Sequence, residues 1–149
     1  MAEFLTYRGA TYPWQADQIG HMNVMWYVGK FDEATWNLFT RIGVTPSYIR
    51  DQRRGMAAVQ QNIAYKREVL PGDTLEVHSS VLEIRDRVIR FRHRMQNAET
   101  GATVADCELT AVHMDRDVRK SCPFPPDVRA QAETLLAATP AATLAAAPA

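Results

Sequence analysis

The stretch NVMWYVGKFDEATWNLFTRIG, residues 23–43, decides how the chain is read, because its apolar residues recur at helical rather than strand spacing. Val24, Tyr27, Phe31, Thr35, Leu38 and Ile42 follow one another in steps of three and four, and Val28 and Ala34 widen the stripe. Asn23 is placed to cap the first turn through its side-chain oxygen, and Gly43 supplies a stop. Gly29, inside the pattern, costs about 1 kcal/mol relative to Ala, so a close approach of the helix to a sheet is expected there. Lys30, Asp32 and Glu33 are assigned to the edge of the solvated face.

On either side of this helix the pattern is that of strands. Residues 3–14 read as an extended segment ending near Tyr12, since Pro13 cannot donate to a ladder. Beyond a polar connection over residues 46–55, four extended runs follow, namely MAAVQQNIAYKREVL, DTLEVHSSVLEI, RVIRFRHRMQN and ATVADCELTAVHM. They are separated by PG, RD and ETG, which predicts an antiparallel meander. In the third run Ile89, Phe91, His93 and Met95 alternate with Arg90, Arg92 and Arg94; in the fourth, Ala105, Cys107, Leu109 and Ala111 alternate with Asp106, Glu108 and Thr110. In the second run the apolar positions Leu75, Val77 and Val81 change phase at Leu82 and Ile84, which predicts a bulge. One long helix and an antiparallel sheet of about five strands make an α+β arrangement, and a homo-oligomer is one way to cover the remaining edge and face. A short amphipathic helix, DVRAQAETLLAA, and an Ala/Pro-rich tail expected to be disordered close the chain, so we divide it into a domain over residues 1–129 and a C-terminal segment over 130–149.

Composition narrows the partners. The chain has 149 residues, enough for one domain with a sizeable core, and 17 basic residues balance 17 acidic ones. No net field recruits nucleic acid. Cys107 and Cys122 have neither metal-ligand spacing nor the number for a disulfide framework, and the four histidines are too scattered to suggest a zinc site. There is no signal-peptide pattern and no apolar run long enough to span a bilayer, so a soluble cytoplasmic location is expected, without metal or cofactor.

Asp17, Gly20, His21 and Asn23 stand immediately before the helix. A helix N-terminus presents unpaired N–H groups and about half a positive charge, a setting suited to a developing oxyanion. If Asn23 caps, Asp17 is too far upstream to share that task, and is left on the loop to attack a carbonyl or activate water. The plainer reading is an Asx-turn for Asp17 and a loop-closing hydrogen bond for His21. Local pattern leaves both open.

The run DQIGHMNVMWYVGKFDEA resembles the D-x-x-G-H-x-N-x-x-x-Y-x-x-x-F-x-E-A signature of hotdog-fold acyl-CoA thioesterases related to 4-hydroxybenzoyl-CoA thioesterase. IAYKREVLPGDTLEV and VHMDRDVRKSCPFPPDVR resemble the same family's turn-flanked strand pair and closing segment, in matching order over roughly residues 7–129. The resemblance implies a long helix wrapped by an antiparallel sheet, in a homodimer or homotetramer with its active site at the subunit interface. It implies acyl-CoA hydrolysis, with coenzyme A as part of the substrate. Asp17 takes the role of nucleophile or general base, and the backbone N–H near Val24 that of oxyanion donor. His21 and Asn23 match the motif as residues that orient the carboxylate, the substrate or the loop. Tyr27 and Phe31 match positions used mainly for packing, and Tyr27 also borders the substrate. Pro13, Trp14, Met25 and Trp26 depart from the pattern at the entrance to the helix.

The arginine-rich strand has two readings. Its charges could form a solvated face paired with Asp106 and Glu108, or offer phosphate contacts to coenzyme A, with Arg85 and Arg87 near the turn the better candidates. Two alternatives to hydrolysis follow from the same motif: a non-catalytic acyl-CoA binding module, and a hotdog hydratase, which would want its histidine on the helix.

Overall fold

The helix anticipated from apolar spacing spans Val24–Arg41 (α1), and Asn23 does cap it, with Oδ1 accepting from the Met25 N–H at 3.0 Å. The structure is a computed structural model in which residues 3–137 are described. Before α1 come a strand, Phe4–Ala10 (β1), and a single 3-10 turn at Pro13–Gln15; after it come α2 (Pro46–Gln52), β2 (Arg54–Tyr65), β3 (Thr74–Ile84), β4 (Val88–Asn97), β5 (Thr103–Asp115), the two-residue β6 (Lys120–Ser121) and α3 (Pro126–Ala137). The strands form one antiparallel sheet in the order β1-β3-β4-β5-β2, with β6 on β5, and it curls about α1 as expected for a hotdog fold.

The meander holds only for β3, β4 and β5. Instead of pairing with β3, β2 pairs with β5 from Arg54↔Asp115 to Tyr65↔Ala105, and β1 takes the place beside β3. The chain between β2 and β3 is the reason: the Lys66 and Arg67 N–H groups both donate to Val104 O, and the Tyr27 hydroxyl donates to Arg67 O. These bonds steer the segment away from a tight hairpin and past the start of α1.

Burial follows the alternation. Ile89, Phe91, His93 and Met95 of β4 are buried beneath α1, and Phe31 and Phe39 of the helix meet His93 and Phe91 at ring separations of 5.8 and 5.7 Å. Each such apolar side chain contributes roughly 1.5–3 kcal/mol on burial. On the opposite face Arg92 pairs with Asp106 at 2.8 Å, Arg90 with Glu108 at 3.5 Å and Arg94 with Glu3 at 2.7 Å, so the solvated-face reading describes these arginines. The expected bulge lies between Val81 and Glu83.

Four expectations need correction. The connection over residues 46–55 contains α2, started by Thr45, whose Oγ1 accepts from the Tyr48 N–H. Lys30 is buried, its Nζ 3.1 Å from Tyr7 Oη; position 30 lies one turn from Tyr27 on the face turned to β1, so its long stem is covered while its head finds a hydroxyl. Gly29 does not approach the sheet closely, and a Cβ added there meets nothing within 4 Å. Finally, α3 begins at Pro126 and buries Val128 and Ala132, so it belongs to the core and crosses the boundary drawn at residue 129. The tail expected to be disordered falls, beyond Ala137, outside the described residues.

A polar chain runs through the core. The Thr35 hydroxyl donates to Phe31 O at 2.9 Å and therefore accepts from His93 Nε2–H at 2.8 Å, leaving His93 Nδ1 to accept from the Ser79 hydroxyl at 2.6 Å. Ser79 Oγ in turn lies 2.7 Å from Thr6 Oγ1, so one network joins α1, β4, β3 and β1 around a neutral imidazole. Burial pushes the His93 pKa down to about 3.

Two outcomes follow. The unfolded chain takes up the His93 proton near its ordinary pKa and the folded chain only near 3. His93 therefore withdraws stability as pH falls from about 6.5 towards 3, by up to about 1.4 kcal/mol per pH unit. Urea unfolding across this range is expected to show a shallower slope with pH in His93→Gln than in the parent. Gly29→Ala is expected to raise unfolding stability by about 1 kcal/mol, measured by thermal melting, because it gains helix propensity without a clash.

Candidate active site

The loop before α1 is folded tightly on itself. The Asp17 N–H donates to His21 O at 3.0 Å, the Gly20 N–H returns to Asp17 O at 3.0 Å, and Gly20 adopts φ +92°, which favours glycine. The Asn23 N–H donates to Gln15 O at 2.8 Å and the Met22 N–H to Val69 O at 2.7 Å, which fixes the loop between the 3-10 turn and the chain entering β3.

Within it the Asp17 carboxylate is held at both oxygens. Oδ1 accepts from the Ile19 N–H at 2.9 Å, which is the Asx-turn of the plainer reading, and Oδ2 accepts from Asn23 Nδ2 at 3.1 Å. The turn of the plainer reading is present, and the capping residue clamps the same carboxylate. These bonds, the Ile19 N–H first and the Asn23 amide second, hold the Asp17 pKa below its ordinary value. The group is charged at neutral pH.

At the helix start, the Met25 N–H is taken by the cap, while the Val24 N–H, one of the orphan donors of a first turn, has no acceptor among the described residues. Val24 lines a cavity of about 310 Å³ with His21, Tyr27, Tyr65, Arg67 and Glu68. His21 Nε2 lies 3.1 Å from Glu68 Oε2, so the His21 imidazole meets Glu68 and not the Asp17 carboxylate. Tyr27 is buried, its ring edge-on to Tyr65 at 5.1 Å, and burial raises its pKa.

The structure therefore brings Asp17, His21, Asn23, Val24 and Tyr27 to one end of the sheet. It does not bring Arg85 and Arg87 there. Those residues lie beyond the far end of β3, whose other end abuts this loop, and ten strand steps separate the two ends by roughly 33 Å. Arg85 donates to Glu83 at 2.6 Å and Arg87 to Ser121 O at 2.8 Å. Residues 65–68, which wall the cavity, went unnoticed in the sequence; the only signal was that YKRE interrupts the apolar pattern of its run.

The model of the thioesterase-like superfamily matches residues 12–132. The chain belongs to this family. At the level of the family its chemistry is acyl-CoA thioester hydrolysis. A betainyl-CoA thioesterase of Pseudomonas aeruginosa is 25% identical over 87% of this chain and 82% of its own length. An L-carnitine dehydrogenase/betainyl-CoA thioesterase of Rhizobium meliloti is 28% identical over 77% of this chain, which spans only 23% of that longer protein. Among solved structures, a Staphylococcus aureus protein in complex with CoA superposes with a TM-score of 0.85 at 15% identity, covering 94% of this chain and 89% of the other. Among the described residues no helix of the family member is long and apolar enough to cross a membrane.

Asn23→Ala removes both the cap and the Asp17 clamp. It is expected to cost about 1 kcal/mol of stability in denaturant titration. Because the clamp depresses the Asp17 pKa, its loss is expected to move the Asp17 titration, followed by carboxyl-carbon NMR, to higher pH.

Proposed function

We propose that the chain hydrolyses an acyl-CoA thioester at the helix start, with Asp17 as the reacting carboxylate and the Val24 N–H as oxyanion donor. One observation carries the reading: Asn23 caps the helix with its oxygen and clamps Asp17 with its nitrogen, so a charged carboxylate is tied to the helix start, where the Val24 N–H has no acceptor among the described residues.

Hydrolysis can run in either of two balanced ways. As general base, Asp17 takes a proton from water while the water oxygen bonds to the carbonyl carbon; the oxyanion collapses, the C–S bond breaks and the thiolate leaves. As nucleophile, Asp17 bonds to the carbonyl carbon and expels the thiolate, and water then hydrolyses the mixed anhydride. In both routes the N–H groups of the first turn stabilise the oxyanion, a contribution of several kcal/mol where donors are pre-aimed. His21, held by Glu68, orders the cavity wall rather than exchanging protons with Asp17.

The relatives named for betainyl thioesters make a short, polar acyl group the first substrate to examine. A homo-oligomer fits the same reading. The outer edge of β2 is unpaired among the described residues, and Val59 on that strand and Met25 and Trp36 on α1 are exposed. A second copy laid along this edge would cover it. A phosphate role for Arg85 or Arg87 then requires the partner's sheet, because this chain's own arginines are too distant. Free thiols at Cys107 and Cys122, together with a CoA substrate, support a cytoplasmic location.

The test is thiol release from a panel of acyl-CoAs. Asp17→Asn and Asp17→Ala are each expected to lower kcat by about 100-fold or more, in line with loss of a positioned acid–base group. Thiol release that survives both substitutions would remove Asp17 from the reaction.

A further inference from the structure

The first turn of α1 offers an oxyanion a single free donor. Four N–H groups at a helix start have no intrahelical acceptor, and three of them are committed here. The Asn23 N–H donates to Gln15 O at 2.8 Å, the Met25 N–H to Asn23 Oδ1 at 3.0 Å and the Trp26 N–H to Asn23 O at 3.0 Å. The committed groups still contribute through the helix dipole, but only the Val24 N–H is left to bond an incoming oxygen. A carbonyl oxygen has two lone pairs and gains charge as the tetrahedral species forms, so a second aimed donor is stabilising at that moment.

The cavity that Val24 lines holds the candidates for that donor. Most of its polar side chains are already engaged: the Tyr27 hydroxyl donates to Arg67 O at 3.1 Å, and Lys66 Nζ meets Asp106 at 2.7 Å. His21 Nε2 meets Glu68 at 3.1 Å, which leaves Nδ1 of the neutral ring as an acceptor. The Tyr65 hydroxyl and the Arg67 guanidinium have neither a hydrogen bond nor an ion pair among the described residues.

Of these two, Tyr65 is the better held. It ends β2 opposite Ala105, whose side chain is buried in the core, so the Tyr65 side chain stands on the helix side of the sheet. Its ring packs edge-on to Tyr27 at 5.1 Å, and Tyr27 is one turn along α1 from Val24. Two χ angles set a tyrosine, and this contact restrains them. Arg67 lies beyond the end of the strand on a longer, exposed side chain, which loses more rotamer freedom when it is ordered. A donor that is already ordered contributes more to the transition state.

We propose that the Tyr65 hydroxyl is the second donor to the thioester carbonyl oxygen, opposite the Val24 N–H. The inference rests on the hydrolysis proposed above. The phenol keeps its proton throughout. Its hydrogen bond tightens as the carbonyl becomes an oxyanion, and slackens when the electron pair returns to reform the carbonyl and the C–S bond breaks.

The experiment joins kinetics to the infrared band of the bound carbonyl. Tyr65→Phe keeps the ring and its contact with Tyr27, and its melting temperature is expected to match the parent's, because the hydroxyl bonds nothing in the fold. With the acyl-CoA that the parent hydrolyses fastest, its kcat is expected to fall about 100-fold while KM changes less than about twofold, the signature of a bond made in the transition state. The same acyl-CoA, labelled with carbon-13 at the carbonyl, is then bound to Asp17→Asn. Adding Tyr65→Phe is expected to move the carbonyl band to higher frequency, since one hydrogen bond to the oxygen is lost. An unchanged kcat in Tyr65→Phe, a band indifferent to Tyr65, or a kcat loss in Arg67→Gln as large as that in Tyr65→Phe would overturn the assignment. A parent that hydrolyses no acyl-CoA defeats the proposed hydrolysis instead, and the band of labelled acetyl-CoA bound to the parent then decides the Tyr65 bond alone.

Discussion

Everything at the candidate site depends on the two ends of one amide. Asn23 Oδ1 takes the Met25 N–H and Nδ2 reaches Asp17, so the first turn of α1 and the carboxylate cannot move independently. The position of that turn is set in the core, where Phe31 stacks on His93 and Thr35 bonds to it. A slip of α1 by one turn would carry Asn23 about 5.4 Å away and break the clamp. The accuracy of the loop is therefore inherited from the close packing of the helix on the sheet.

The helix is also held to one side. Lys30 reaches Tyr7, and Asn37 Nδ2 donates to Thr6 O at 2.6 Å, both on β1. Comparable hydrogen bonds from α1 to the body of β2 are absent among the described residues, and the Tyr27 bond to Arg67 lies past the end of that strand. With α1 drawn towards β1, the space beside β2 stays open. The concavity between α1 and β2 that Asp32 and Trp36 line is the counterpart of these tethers.

Much of this was legible in the sequence wherever a period carried it. The three-and-four spacing of α1 from Tyr27 to Ile42, the alternation of β4 and β5 and the phase change at Leu82 have direct structural counterparts, because burial on one face enforces them, whereas Val24 and Val28, assigned to the same stripe, are exposed. Strand order was not legible. The β2 alternation does not state which edge it will meet, and the hydrogen bonds that exclude β3 involve Val104 and Tyr27, remote in sequence. The Asn23–Asp17 clamp was half legible: capping chemistry pointed to the oxygen of Asn23, but nothing local gave a partner for its nitrogen. Lys30 and Gly29 were misread for one reason, that residue type outweighed helical position. A lysine on the covered face has its stem buried, and the open space around Gly29 shows that no close approach to the sheet requires a glycine there.

In the proposed reaction, the electrostatics of Asp17 decide where the rate must come from. A carboxylate held below its ordinary pKa is fully charged at neutral pH but is correspondingly weak as a base and as a nucleophile. Basicity thus supplies little. A thioester needs little of it, since its carbonyl is electrophilic and its thiolate departs readily. The remaining sources are position and the field at the helix start, and both are favoured by the same hydrogen bonds that lower the pKa. A stronger base would require releasing Asn23 from Asp17, and with it the alignment of the acid to the first turn. The arrangement trades basicity for geometry, which suits an activated ester and would be poorly suited to an amide.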